Sequence, residues 1–243
     1  MTTLVLLHGW GMNSSVFDEL AARLADRFDV HAPDLSGYNG SVACAPYALE
    51  QLAHELAAKI PGRCYVAGWS LGAQVALAWA RARPAQVERL ALLGATPCFS
   101  RREDWTLGLP PAVLQAFAGS LADDREATLR RFVSLQTRGD SAARRVSARL
   151  RAALAAHAAP PTSVLEQGLR ILAAADLRSA LSEIAQPALV VHGERDEIVP
   201  LDAADYLAHG LARARLAVVQ GAAHAPFISD PETVSALMAK HFV

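Results

Sequence analysis

Three cysteines in 243 residues are too few, and odd in number, for a disulfide framework. Cys44, Cys64 and Cys98 also lack the CxxC or Cys/His spacing that holds zinc, so free thiols in a reducing cytosol, a cytoplasmic protein and no metal are expected. Charge of one sign is missing too. The formal net charge is −1, which argues against general attraction to nucleic acid or to a membrane surface. No apolar run approaches the length of a membrane-spanning helix. The N-terminus, Met-Thr-Thr-Leu-Val-Leu-Leu-His-Gly, has no basic stretch, and its apolar run is four residues long; it reads as a strand, not a signal peptide. Internal repeats and low-complexity tracts are absent. What is there, 52% hydrophobic and 19% charged residues, is the composition of an ordinary globular chain able to bury a substantial core. A monomer is expected.

Short β-rich runs at 4–7, 29–32, 64–67 and 89–93 alternate with helical spacing at 16–26, 49–60 and 71–83. The alternation resumes with strands at 188–192 and 216–219 and helices near 203–211 and 231–241. Such alternation implies an α/β fold with a mostly parallel, doubly wound sheet covered on both faces. Between the two blocks lies a segment with no convincing strand and four helices near 111–121, 125–138, 141–157 and 162–174, punctuated by Pro110-Pro111 and Pro160-Pro161. The reading is a core of residues 1–96 and 187–243 with a helical cap, or lid, of residues 97–186. The cap lies over the sheet edge where such folds bind ligands.

Gly68-Trp69-Ser70-Leu71-Gly72 follows one strand and opens one helix. That is the context of a G-x-S-x-G nucleophile elbow, in which a strained turn lifts the serine hydroxyl clear of the sheet. A chance match in a loop would lack the flanking strand and helix. A serine hydroxyl needs a base, and the base an orienting acid. In this fold class they follow in the order Ser, Asp/Glu, His. Asp196 comes after the fifth strand, with Glu194, Glu197 and Asp202 as rivals for the acid. His224 comes after the sixth and is alone in its loop. His192 falls inside its strand, whereas His54, His157, His209 and His241 read as surface helix positions. The expected catalytic residues are therefore Ser70, Asp196 and His224. His8-Gly9-Trp10-Gly11 follows the first strand, where a second oxyanion donor belongs. The backbone N–H groups of Trp10 and Leu71 are the expected oxyanion hole, and the Trp10 and Trp69 rings are pocket walls or core filling. The turn-rich stretch from Asp34 to Ser41 reads as structural, with Asn39 tolerating a left-handed backbone where a glycine is common.

Together these residues resemble the α/β-hydrolase superfamily along the whole chain. The antiparallel strands that usually precede the first core strand are expected to be absent. A closer set is similar to the pimeloyl-[acyl-carrier-protein] methyl ester esterase family of biotin biosynthesis. It comprises the His8 and Ser70 motifs, Ala95-Thr96-Pro97-Cys98-Phe99, Arg131-Phe132-Val133-Ser134-Leu135-Gln136-Thr137 and Ala222-Ala223-His224-Ala225-Pro226-Phe227-Ile228-Ser229. Members of that family cleave a methyl ester from a pimeloyl chain carried on acyl carrier protein, without a cofactor. The resemblance implies substrate contacts at Trp10, Ser70, Leu71, Phe132, Val133, Ser134, Leu135, Gln136 and His224. Helical spacing by itself puts Leu129, Phe132, Val133 and Gln136 on one face, where the Gln136 amide either bonds a ligand carbonyl or caps a neighbouring helix.

Between Arg125 and Arg151 eight arginines stand against Glu126 and Asp140, a local net charge of +6, which leaves −7 for the rest of the chain. Arg144, Arg145, Arg149 and Arg151 flank a stripe of Val146, Leu150 and Leu154. A solvated helix face with snorkelling arginines is the ordinary explanation. One sign concentrated on a lid instead fits a docking surface, with Arg131, Arg144 and Arg149 steering an acidic acyl carrier protein. Phe132 is the single aromatic residue in the patch, too few for the aromatic interleaving of a nucleic-acid surface. A broad carboxylesterase, a lactonase and a carbon–carbon bond hydrolase share the same triad. A small-molecule receptor on this scaffold would need neither triad nor oxyanion loop.

Overall fold

The computed structural model describes residues 1–243. Six strands form one sheet in the order β2-β1-β3-β4-β5-β6. They are β1 (Thr2–Leu7), β2 (Phe28–His31), β3 (Cys64–Trp69), β4 (Val87–Leu93), β5 (Ala188–Gly193) and β6 (Ala214–Val219). Every neighbouring pair is parallel, so the sheet is wholly rather than mostly parallel. Parallel order sends all six C-terminal ends to one edge. The central strands β1, β3, β4 and β5 are buried almost throughout, which is why they read as continuous apolar runs and not as alternating ones.

Helices α1 (Asp18–Leu24), α2 (Leu49–Lys59) and α3 (Leu71–Ala82) connect the first four strands. The helix expected from residue 16 begins instead as a 3₁₀ turn, Ser14–Phe17, because the Asn13 side chain accepts from the Ser15 N–H and starts the turn early. Between β4 and β5 come α4 (Pro111–Asp123), α5 (Arg125–Gln136), α6 (Ala143–Ala156) and α7 (Thr162–Ala174). Prolines open α4 and sit just before α7, where no intrahelical N–H is needed. The chain ends with α8 (Leu201–Gly210), α9 (Pro226–Ser229) and α10 (Pro231–His241).

The inserted helices are not detached from the sheet. Helix α4 packs on α5 and α7, and α6 packs on α5, on α9 and on the Ser14–Phe17 turn. Two apolar clusters fill the protein: one includes Trp10, Leu129 and Leu169 with the α2–α3 face of the sheet. The other includes Val133, Val146 and Leu150 with Trp69 and Phe227. Burial at about 25 cal/mol per Å² of apolar surface is the main force holding both. His241 is buried in this packing and not on the surface, since α10 turns its C-terminal end inward beside Phe242. No helix is long and apolar enough to cross a membrane.

Candidate active site

Ser70 sits between β3 and α3 with φ 55° and ψ −114°, a left-handed backbone that costs a non-glycine residue roughly 1–3 kcal/mol. The flanking glycines make that turn possible. A Cβ on Gly68 would stand 2.2 Å from the Gly72 carbonyl oxygen, and one on Gly72 would stand 2.1 Å from that of Leu7. Helix α3 therefore leaves the sheet at a distance that only hydrogen atoms fit. The Leu71 N–H occupies the first helical position, where no intrahelical acceptor exists.

The loop after β1 runs alongside. His8 is fully buried, and burial depresses its pKa, so the ring is neutral. Its Nε2 accepts from the Leu35 N–H at 3.0 Å, which assigns the proton to Nδ1, and Nδ1 donates to the Gly9 carbonyl at 2.9 Å. This ring thereby fixes the Gly9-Trp10 backbone to the Asp34–Ser41 loop, where Asn39 has φ 49° as its residue type allows. The Trp10 backbone N–H meets no acceptor within the protein. Its indole Nε1 donates to the Leu165 carbonyl of α7 at 2.8 Å, joining this loop to the helical insertion.

Beyond β5 the Asp196 carboxylate is buried. Its Oδ1 accepts from the Ile198 and Val199 N–H groups at 2.9 Å each, and its Oδ2 accepts from His224 Nδ1 at 2.7 Å. Burial alone would push its pKa up. The charge and hydrogen bond of His224, with His192 and the Val199 N–H, together outweigh burial and hold the carboxyl below the usual carboxylate range. With Nδ1 donating to Asp196, the His224 Nε2 is left as a lone-pair acceptor, buried and without a partner. No hydrogen bond joins it to the Ser70 hydroxyl. Trp69, the residue before Ser70, ties the His224 loop to the elbow, its indole Nε1 donating to the His224 carbonyl at 2.8 Å. The rival acids are engaged elsewhere: Glu194 accepts from the Gly221 N–H at 2.9 Å, and Glu197 pairs with Arg138 at 3.5 Å.

His192 was readable as a strand residue, but its bearing on the site was not. It lies in β5 with Nε2 at 3.5 Å from Asp196 Oδ2 and 2.8 Å from the Val199 carbonyl. Burial lowers its pKa against the pull of Asp196. A neutral ring donating to Val199 describes it better than an ion pair does.

A cavity of about 220 Å³ opens between Trp10 and the inserted helices. It is lined by Trp10, Phe99, Phe117, Phe132, Leu135 and Leu169 among others, and Arg138 and Glu197 are its charged residues. Of the α5 residues expected to meet substrate, Phe132 and Leu135 face this cavity. The other three do not line it. Ser134 points the other way, exposed, with its hydroxyl donating to the Arg130 carbonyl at 3.2 Å. Val133 packs in the opposite apolar cluster with Val146 and Leu150, because one helix face cannot look both ways. Gln136 is fully buried with neither amide atom hydrogen-bonded, so it caps no helix; its backbone carbonyl accepts from the His224 N–H at 3.2 Å. Trp69 is core filling: its ring packs 5.2 Å from Phe227, and it does not line the cavity.

The arginine cluster is partly neutralised. Arg130, Arg138 and Arg149 pair with Glu126, Glu197 and Glu19 at 3.3, 3.5 and 3.3 Å. Arg131 lies over the Phe117 ring at 5.6 Å, Arg145 donates to the Ser229 carbonyl, and Arg144 is exposed without a carboxylate partner.

An elbow serine, two backbone N–H groups and a carboxylate-held histidine at one edge of a parallel sheet define a class, and comparison with known families agrees. The chain belongs to the alpha/beta hydrolase fold family, whose model matches residues 2–231. It is 43% identical over 229 residues to the pimeloyl-[acyl-carrier protein] methyl ester esterase of Nitrosomonas europaea, covering 94% of this chain and 91% of that one. The protein of the same name from Aromatoleum aromaticum is 42% identical over 240 residues, with 97% and 96% covered. Likeness of this extent makes the chain a carboxylic ester hydrolase of that esterase family. An esterase from Exiguobacterium antarcticum superposes with a TM-score of 0.87 at 23% identity, over 99% of this chain and 91% of the other, a likeness of fold.

Proposed function

We propose that this protein hydrolyses the methyl ester of a pimeloyl chain carried on acyl carrier protein, a step of biotin biosynthesis, by an acyl-enzyme route. The observation that carries the reading is the 2.7 Å bond from His224 Nδ1 to Asp196, which leaves Nε2 free beside the Ser70 elbow. Ser70 Oγ attacks the ester carbonyl while His224 Nε2 takes its proton. The oxyanion forms against the N–H groups of Trp10 and Leu71, each worth about 3 kcal/mol of barrier in such sites. Collapse breaks the bond to the methoxy oxygen, which leaves as methanol with the proton from His224. Water, deprotonated by His224, then attacks the acyl-enzyme and frees the carboxylate and Ser70. No metal or cofactor takes part.

Residues 97–186 form the lid, and the apolar cavity beneath it takes the aliphatic chain. Its volume of about 220 Å³ exceeds the ~150 Å³ that holds a benzene in an engineered apolar cavity. Phe132 and Leu135 line the cavity on α5, and the unpartnered Gln136 amide is the proposed polar contact for the substrate. The free thiols of Cys44, Cys64 and Cys98 suit a cytoplasmic enzyme. Arg131, Arg144 and Arg149 steer the acidic carrier, Arg131 and Arg144 without a carboxylate to screen them and Arg149 against Glu19. The test compares pimeloyl methyl ester on carrier protein with free short-chain esters. kcat/KM for the carrier-bound ester is expected to be higher and to fall steeply with salt. The triple change R131A/R144A/R149A is expected to slow carrier-bound hydrolysis at least tenfold and to leave free esters unaffected. Equal losses on both substrates, or none, would reduce these arginines to a solvated surface. A preference for free esters would favour the broad-carboxylesterase reading.

A further inference from the structure

The turn between α5 and α6 holds a carboxylate that no part of this mechanism uses. Asp140 is 7% exposed, and its oxygens take three hydrogen bonds. Oδ1 accepts from the Ala142 N–H at 2.7 Å and from the Ser229 hydroxyl at 2.9 Å. Oδ2 accepts from the Ala223 N–H at 2.8 Å. The Ala142 bond is local, an Asx turn closed two residues along the chain just before α6. The other two cross to the core, and Ala223 is the residue immediately before His224.

Two backbone bonds reinforce the same junction. Ser141 N–H donates to the Gly221 carbonyl at 2.8 Å, and His224 N–H donates to the Gln136 carbonyl at 3.2 Å. On its other side the loop is held by Arg195 N–H, which donates to the Ala222 carbonyl at 2.8 Å, and by the Glu194 carboxylate. The His224 loop is thus clamped between the Asp196 loop and the helical insertion, and Asp140 is the one side chain of the insertion in that clamp that bonds its backbone. Three donors converge there, so a carboxylate, which only accepts, satisfies all of them. An amide would set its NH₂ against one of those donors.

We infer that Asp140 is a positioning residue for His224. By fixing the Ala223 N–H it sets where the imidazole stands between Asp196 and Ser70, and it makes the α5–α6 turn a structural part of the base. This rests on the reading of His224 as the general base. Displacement of a catalytic group by about 1 Å can cost roughly a hundredfold, so even partial release of Ala223 is visible in turnover.

The test uses p-nitrophenyl butyrate, a free ester that needs no carrier, with wild type, D140N, D140S and H224A. A serine hydroxyl can close the same i→i+2 turn, more weakly than aspartate, so D140S keeps the turn before α6 but is too short to reach Ala223. Both Asp140 variants are expected to lower kcat at least tenfold with KM within twofold. The downfield proton resonance of the His224 Nδ1–H···Asp196 bond is expected to shift or broaden in each. Wild-type kcat and an unchanged resonance in D140S would reduce Asp140 to the local turn before α6 and overturn the inference. An inactive H224A beside a fully active D140N would overturn the positioning role alone. An active H224A would remove the base and this inference with it.

Discussion

Replacing Asp196 with asparagine probes the site with the least disturbance to the fold. The Asn Oδ1 can keep both bonds from the Ile198 and Val199 N–H groups, each 2.9 Å in the native protein. The loop after β5 therefore stays in place. What changes is the atom 2.7 Å from His224 Nδ1: an acceptor becomes an NH₂ donor. The imidazole answers by moving its proton to Nε2, and the position that must take the Ser70 proton is then occupied. The same exchange in a protease triad lowers kcat by about 10⁴, or about 5.4 kcal/mol of barrier. An independent figure comes from the lost charge. An imidazolium and a carboxylate about 4 Å apart attract by about 4 kcal/mol at an effective dielectric of 20. The two agree in order of magnitude, so D196N is expected to lose between about 10³ and 10⁴ in kcat with little change in melting temperature. Steady-state hydrolysis of p-nitrophenyl butyrate and a thermal melt measure both. A kcat within tenfold of wild type would refute the argument. So would an equal loss in E194Q or D202N, since neither carboxylate meets His224.

A fluorophosphonate is expected to give a single adduct at Ser70 and abolish esterase activity, while a chelator leaves activity intact; peptide mass mapping that finds the adduct elsewhere would reassign the nucleophile. Acid is expected to destabilise the protein in two stages. Burial depresses the pKa values of His8, His192 and His241, so the unfolded chain binds protons near pH 6.5 that the native state does not. Stability contributed by these rings is full above that pH and is lost as pH falls toward their native values. The Asp196 carboxyl, held below its ordinary value, adds a second loss at lower pH by the same sign. A melting temperature that stays flat from pH 7 down to pH 5 would contradict the first stage.

Much of this arrangement is legible in the sequence because a parallel sheet leaves little freedom. Six apolar runs separated by helical spacing require parallel neighbours, and parallel neighbours bring the ends of β1, β3, β5 and β6 to one edge. His8, Ser70, Asp196 and His224 follow those strands in the chain and therefore meet in space. Elements of a single turn escaped: α9, Pro226–Ser229, and the 3₁₀ turn Arg178–Glu183 are too short to express a period. Side-chain direction on α5 escaped as well. A helical wheel puts Phe132 and Val133 on one face, but two apolar clusters compete for that helix, and Phe132 goes to the cavity while Val133 goes to the other side of the sheet. Asp140 counted in the sequence only as a negative charge among arginines. Its partners Ala223 and Ser229 are 83 and 89 residues away, and no local pattern encodes a contact of that span.

The site divides its work between two parts of the chain, and the division explains the charge pattern of the insertion. The sheet edge supplies nucleophile, oxyanion donors and acid from strand ends whose geometry is fixed by the ladder. The insertion supplies cavity walls from Phe117, Phe132 and Leu169, a basic outer face, and the turn that fastens the His224 loop. Of the eight arginines between Arg125 and Arg151, three are balanced by nearby carboxylates, and two of those three carboxylates, Glu197 and Glu19, belong to the core. Part of the positive charge therefore closes the insertion down onto the sheet. Arg138 and Glu197 do so at the rim of the cavity itself, two residues from Asp140 and one from Asp196. An acidic partner docking on α5 and α6 competes for that charge. Of the two pairs that tie these helices to the core, only Arg138–Glu197 lines the cavity, so under the proposed docking it is the contact whose loosening reaches the cavity, while the buried Asp140 carboxylate holds the His224 loop.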